Sequence, residues 1–467
     1  MIFHSITYLV FLALVLALYW SLPRRGQNFL LIFASYIFYG WEHPWFLLPL
    51  WASTLVDYGC ARGIECFPRQ RRVFLVTSIV ASIALLATFK YFGFAVENIN
   101  AILGNFGAEP IRNTLRLALP AGLSFYTFQS IGYVVDVYRG KVKAVRDFPD
   151  YALYVTFFPQ LVAGPIERAA HMLPQYRAPR KLDAEAWRSA LGLMLWGFFK
   201  KVVIADNAAV VANKIFALTD TSFPVIWAGV FAFAVQIYAD FSGYTDIARG
   251  TARLLGIDLM VNFNHPYLAT SPADFWRRWH ISLSTWMRDF IYIPLGGSRR
   301  STARASFNLM AVFTISGLWH GASWNYVLWG VYWGALILLQ RFLGWLGVTQ
   351  KIPWSAKVTI TFGVTCAGWL LFRERNLGQI AHDLAQSPFA ATAEQWRVAI
   401  YFVVLVLIYA LPLVIHMLAT GIPRWQIEPR LSERGKFILE TAIAVLLLFG
   451  IVTIRSVATS DFIYFQF

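Results

Sequence analysis

From Ala305 to Gln340 the chain runs 36 residues without an aspartate, glutamate, lysine or arginine. That stretch excludes a soluble loop or an exposed helix, where charge would recur every few residues. Comparable charge-free runs lie at 1–23, 26–41, 117–135, 221–239 and 398–423. A helical crossing of a bilayer needs about 20 mostly apolar residues. Only a helix or a closed barrel satisfies its own backbone where water is absent. Shorter apolar stretches at 43–56, 73–89, 151–166, 188–199, 358–372 and 441–454 fit spans with charged ends, or re-entrant helices. Together they predict roughly a dozen helices at membrane depth. The expected fold class is therefore an all-α polytopic membrane protein. Charged residues make up 14% of the chain, against about 25% in soluble proteins.

The net charge of +15 would suggest a nucleic-acid partner in a soluble chain. In a membrane protein it has a simpler origin, because cytoplasmic loops collect lysine and arginine. The expected partner surface is the lipid bilayer, and no nucleic acid is expected. Basic clusters occur at Arg24/Arg25, Arg69/Arg71/Arg72, Arg139/Lys141/Lys143/Arg146 and Arg168/Arg177/Arg180/Lys181. Glu42-His43-Pro44, between the first two, has no basic residue. This alternation predicts an outside N-terminus and cytoplasmic basic loops; past about Lys200 the bias stops assigning sides. The first apolar run lacks a preceding basic stretch and is followed by Pro23-Arg24-Arg25, so it is read as a retained span. Cys60, Cys66 and Cys366 offer neither a disulfide framework nor metal-ligand spacing. The longest polar stretches, 165–187 and 374–397, are too short for a soluble module of about 50 residues or more. The chain is read as one integral membrane domain, 1–467.

Two segments depart from plain spans. Ser271-Pro272-Ala273-Asp274 carries a helix-start signature. It predicts one amphipathic helix running toward Ile291, with Trp276, Trp279, His280, Leu283, Trp286, Met287 and Phe290 on its apolar face. Arg277, Arg278, Arg288 and Asp289 take the other faces, which suits a membrane interface. The second segment is the long run holding His320. As one straight helix at about 1.5 Å per residue it would exceed the roughly 30 Å hydrocarbon core, so it must bend or break. Ser316, Gly317, Gly321, Ala322 and Ser323 mark the place.

An ionisable group at membrane depth is costly and is a functional candidate by default. His280 and His320 are 40 residues apart, and only tertiary folding can bring them together. An imidazole in an apolar cavity is disfavoured as imidazolium and suits activation of a hydroxyl toward an acyl carbonyl. It could also be acylated itself. The competing reading for each is a hydrogen-bonded structural histidine. Asp136, Asp240 and Asp246, at or inside apolar runs, read first as helix-end or ion-paired groups. His265, before Pro266, reads as a turn residue.

Six stretches carry a resemblance. They are 123–130 (centred on Tyr126-Thr127-Phe128-Gln129), 135–140, Phe157-Phe158-Pro159-Gln160 through Gly164-Pro165-Ile166, Asp240-Phe241-Ser242-Gly243-Tyr244-Thr245-Asp246, Phe275-Trp276-Arg277-Arg278-Trp279-His280 through Ser284, and Gly317-Leu318-Trp319-His320-Gly321-Ala322. In this order, over roughly 1–375, the chain resembles the membrane-bound O-acyltransferase family, most closely its alginate O-acetylation branch. Beyond about Arg375 only hydrophobic character matches. The resemblance implies tilted helices ringing a central tunnel, a catalytic core at about 115–340 and C-terminal helices at about 356–467. It implies that His320 is catalytic and that His280 is the second active-site residue. Trp276, Trp279, Trp319, Ser323, Asn325, Gln129, Asp240 and Asp246 are the candidates to line the tunnel or touch substrate. It further implies cytoplasmic acetyl-CoA as donor, no metal, a periplasmic partner transferase, a secreted polysaccharide as acceptor, and the bacterial inner membrane as location. Peptidoglycan, cellulose, or D-alanyl transfer to teichoic acid are the alternative acceptor chemistries. The residues around Gln129 and Gly164-Pro165-Ile166 sit nearer the alginate branch than the D-alanine branch. A non-enzymatic transporter would commonly show symmetry-related broken helices in two halves, a pattern not found here.

Overall fold

The structure, a computed structural model, describes residues 1–112, 118–299, 301–422, 432–456 and 462–463. Among the described residues every regular element is helical. Six helices among the described residues are long and apolar enough to cross a membrane: Pro68–Asn105, Phe223–Leu254, Trp324–Trp345, Trp354–Arg373, Ala393–Gly421 and Arg434–Thr453. The other apolar helices are shorter or more charged. Ile6–Tyr19 has 14 residues, short of a full crossing, and Leu47–Cys66 carries Asp57, Arg62 and Glu65. Burial sorts the spans. In the most apolar window of Phe223–Leu254, 83% of residues are buried, against 6% in Arg434–Thr453. The first is a core helix; the second presents Ile438, Leu446 and Phe449 to lipid.

The chain divides into two compact units, 1–190 with 251–260, and 191–250 with 261–467. The first is tied internally by buried polar groups that find partners, as burial demands. Tyr19 donates its hydroxyl to the Leu255 carbonyl (2.7 Å) and accepts from the Arg180 guanidinium (2.8 Å). Glu167, buried, accepts from the Met260 backbone N–H (2.6 Å) and pairs with His171 (2.9 Å). Gln129 lies in this unit. Its side-chain amide and that of Gln160 both donate to the Tyr154 carbonyl.

The second unit is assembled on close backbone approaches. A Cβ on Gly197 would lie 2.7 Å from the Gly243 carbonyl oxygen, and one on Gly243 would lie 2.8 Å from that of Gly197. Small residues allow such crossings where no hydrophobic force drives helices together. This contact brings the π-helical turn Lys200–Ala205 against the Phe223–Leu254 helix. Lys200 reaches Asp246 at 2.6 Å, and Lys201 sits between Asp206 and Asp240 at 3.0 Å from each. Asp240 also accepts the Ile463 N–H at 2.7 Å.

Both irregular segments are present, one as expected and one not. The long charge-free run breaks after His320: Thr302–His320 and Trp324–Trp345 form separate helices joined by extended Gly321-Ala322-Ser323. The segment after Ser271 begins as predicted, with Ser271 accepting the Asp274 N–H at 3.2 Å. It does not continue as one helix. Pro272–Arg278 and Ile281–Met287 are separated at Trp279 and His280, and Arg288–Tyr292 is a π turn. The physical reason is non-local. Residues 262–264, outside any helix, lie alongside the break, where Asn264 donates to the Arg278 carbonyl and Ile281 to the Asn262 carbonyl, each at 2.9 Å. These bonds replace helical ones. The aromatic face is buried in protein instead of lying on a bilayer surface: Trp276, Trp279, Leu283, Trp286 and Met287 are all buried.

Candidate active site

His280 sits at the break with φ 43° and ψ 54°, a left-handed conformation that costs a residue with a Cβ. Only a heavily determined surrounding keeps it there, and the ring is fully buried. Its Nδ1 lies 3.2 Å from Asn262 Oδ1. The same oxygen accepts the Ser282 backbone N–H (3.2 Å) and hydroxyl (3.0 Å). A backbone N–H can only donate, so the Asn262 atom is an oxygen and not the amide nitrogen. His280 Nδ1 is therefore the protonated nitrogen, and in the neutral ring Nε2 carries the lone pair. Phe241, from the core helix, meets the imidazole edge-on at 4.8 Å between ring centroids.

His320 ends its helix and is 4% exposed. Its ring is enclosed by three aromatics: Trp319 at 4.9 Å, Trp329 at 5.0 Å and Phe372 at 5.3 Å. Trp319 also contacts His280, at 6.2 Å. The fold thus places both imidazoles against one indole. The helix pair that carries His320 is locked by glycines. A Cβ on Gly317 would fall 2.1 Å from the Tyr326 carbonyl oxygen, and one on Gly330 would fall 2.3 Å from that of Phe313.

The fold puts the remaining candidate residues in different places. Trp276 packs edge-on against Trp329 and Trp333, and Trp279 packs edge-on against Phe263 and tilted against Trp369, so both wall the histidine region. Asn325 is fully buried and donates to the Leu371 and Phe372 carbonyls (3.1 and 3.4 Å). It thereby caps the end of the helix that delivers Phe372 to His320. Ser323 is half-buried at the start of its helix. Asp240 and Asp246 are engaged by lysines, and Gln129 belongs to the first unit. Trp329 reads from the sequence as a packing aromatic, while Asn262 and Phe372 carry no sequence signal. Asn262 lies in a loop 18 residues before its histidine, with no periodicity to mark it. An apolar cavity of about 180 Å³, lined by Trp276, Leu309, Phe313 and Ser316, opens one helical turn before His320.

Two buried imidazoles at helix breaks, one with its tautomer set by Asn262, have the chemistry to take a proton from a hydroxyl or return one.

The description "MBOAT, membrane-bound O-acyltransferase family" matches residues 142–357. The chain is 35% identical to the probable alginate O-acetylase AlgI of Azotobacter vinelandii, over all of both chains. It is 41% identical to that of Pseudomonas putida, over 81% of this chain and 78% of that one. It is 37% identical to the peptidoglycan O-acetyltransferase of Helicobacter pylori, over 74% of this chain and 71% of that one.

Proposed function

From the premise that this chain belongs to the membrane-bound O-acyltransferase family and is an O-acyltransferase, we propose that it transfers acetyl groups from cytoplasmic acetyl-CoA across the bacterial inner membrane. The acceptor is a secreted polysaccharide of the alginate class, reached through a periplasmic partner transferase. One observation carries the reading: two histidines 40 residues apart, each at a helix break, meet on the Trp319 ring.

Acetyl-CoA is a large anion and does not cross a bilayer, so only the acyl group passes. The acceptor oxygen attacks the thioester carbonyl, the new C–O bond forms and the C–S bond breaks. His320 takes the hydroxyl proton and returns it to the leaving sulfur. Holding both reactants at one imidazole removes the entropic cost of their encounter. The tautomer of His280 gives a second acceptor nitrogen beside Trp319.

The test uses the purified chain in lipid nanodiscs with radiolabelled acetyl-CoA and the secreted transferase. Wild type releases CoA thiol and labels the partner. His320→Ala remains folded and transfers nothing, and His280→Ala falls by about a hundredfold or more. Full transfer by His320→Ala removes its assignment. A wild type that never consumes the thioester supports the transporter reading. A peptidoglycan acceptor is the second reading, favoured by the similarity to the Helicobacter pylori protein; acetyl content of both polymers in a deletion strain separates the two.

A further inference from the structure

The second unit holds a polar cavity of about 210 Å³ that the histidine pair does not account for. Its lining includes Lys200, Asp246, Arg249, Asn262, His265 and His416. Two cations face one carboxylate there, so the lining is net positive before either imidazole is counted. The groups are held in place. Lys200 is fixed by Asp246 (2.6 Å) and Ser242 (3.0 Å), and Arg249 stands 3.9 Å from Asp246. His265 is held at φ 46° with Nε2 3.2 Å from the Thr420 hydroxyl. The Trp196 ring lies 5.2 Å from that of His416.

Charge along the sequence gives the side on which this cavity opens. Arg249 and His416 lie near the C-terminal ends of the Phe223–Leu254 and Ala393–Gly421 helices. Arg253 stands in the last turn of the first, and Arg424, Arg430, Arg434 and Lys436 follow the second in sequence. Before their N-terminal ends, 217–222 holds only Asp220, and 374–392 holds Glu374, Arg375 and Asp383. The excess of basic residues assigns the cavity to the cytoplasmic side. Asn262 lines the cavity and also orients His280. The cavity therefore lies directly behind the first imidazole, on the side from which a soluble donor arrives.

We infer that this cavity binds a phosphate-bearing segment of the acyl donor, with Lys200, Arg249 and His416 as its anion contacts and Asn262 as the boundary with the reaction centre. This rests on the donor reading above. The space is smaller than the roughly 300–1,000 Å³ of pockets that enclose whole ligands, so it takes one segment of CoA, with the acetyl-bearing arm directed past Asn262. Charge-assisted hydrogen bonds to phosphate are the strong ones, so losing one should be measurable.

The experiment compares dissociation constants of CoA, pantetheine (which has no phosphate) and inorganic diphosphate for the full chain in nanodiscs. Arg249→Gln and His416→Gln should each weaken CoA about tenfold or more and leave pantetheine unchanged, and Arg249→Lys should recover part of the loss. CoA affinity undiminished in the variants, or CoA and pantetheine weakened alike, overturns the assignment and spares the donor reading. A wild type that binds diphosphate but not CoA keeps the anion cavity and removes the donor. One that binds neither overturns both.

Discussion

At the scale of single residues, the proposed chemistry depends on which nitrogen of His280 holds its proton, and the hydrogen bond to Asn262 sets that. Removing its oxygen leaves three donors, two on Ser282 and one on the imidazole, without that acceptor. Asn262→Ala is expected to lower kcat by about tenfold to a hundredfold. Asn262→Asp makes a sharper case. It keeps the acceptor but adds negative charge beside the ring, which favours imidazolium. The neutral base then appears only at higher pH, so the acid limb of the pH–rate profile should move upward. A profile that stays in place would show that Asn262 only holds the loop. His320 stands out in the sequence as a titratable group in a charge-free run, whereas His280, next to Arg277 and Arg278, is marked only by its place on the apolar face of its segment. Asn262 was not legible, because an asparagine in a loop has no local mark, and its importance comes from what folds against it.

At the scale of elements, the machinery rests on helix contacts too close for a side chain. Gly317→Ala would drive a Cβ into the Tyr326 carbonyl oxygen. It is expected to cost about 1–3 kcal/mol and to reduce transfer by displacing His320, three residues on. A thermal midpoint measured by fluorescence-detected size exclusion, alongside the transfer assay, checks both. The lysine turn is a second such element. Lys201→Met would leave Asp206 and Asp240 buried without their shared cation. Breaking a buried ion pair costs about 3–5 kcal/mol, so this variant should fail to accumulate as folded protein, while Lys201→Arg should partly recover. Helix starts were legible at this scale, since Ser271-Pro272 caps its helix as its residue types dictate. The break at His280 was not. Apolar periodicity runs straight through it, and the hydrogen bonds that end the helix come from residues 262–264.

At the scale of the whole molecule, the helix bounds extend a sidedness that charge alone left open beyond Lys200. Arg249 and Arg253 lie in the last turns of Phe223–Leu254, and basic residues follow the C-terminal end of Ala393–Gly421 and flank the turn between Trp324–Trp345 and Trp354–Arg373. In a variant lacking Cys60, Cys66 and Cys366, a cysteine at Ser301 should be shielded from impermeant thiol reagent in intact cells, and one at Gln386 should be labelled. The reverse pattern would invert the donor side and remove the cavity assignment. What the sequence determined by itself was the solvent and the secondary structure: charge-free runs of this length admit only helices in lipid, because the backbone must bond to itself there. The placement of His280 and His320 against one ring, the pairing of Asp240 and Asp246 with buried lysines, and the cavity behind Asn262 were decided by tertiary structure alone. Each depends on contacts between residues far apart in the chain, and hydrophobic periodicity reports which face of a helix is buried, not what it is buried against.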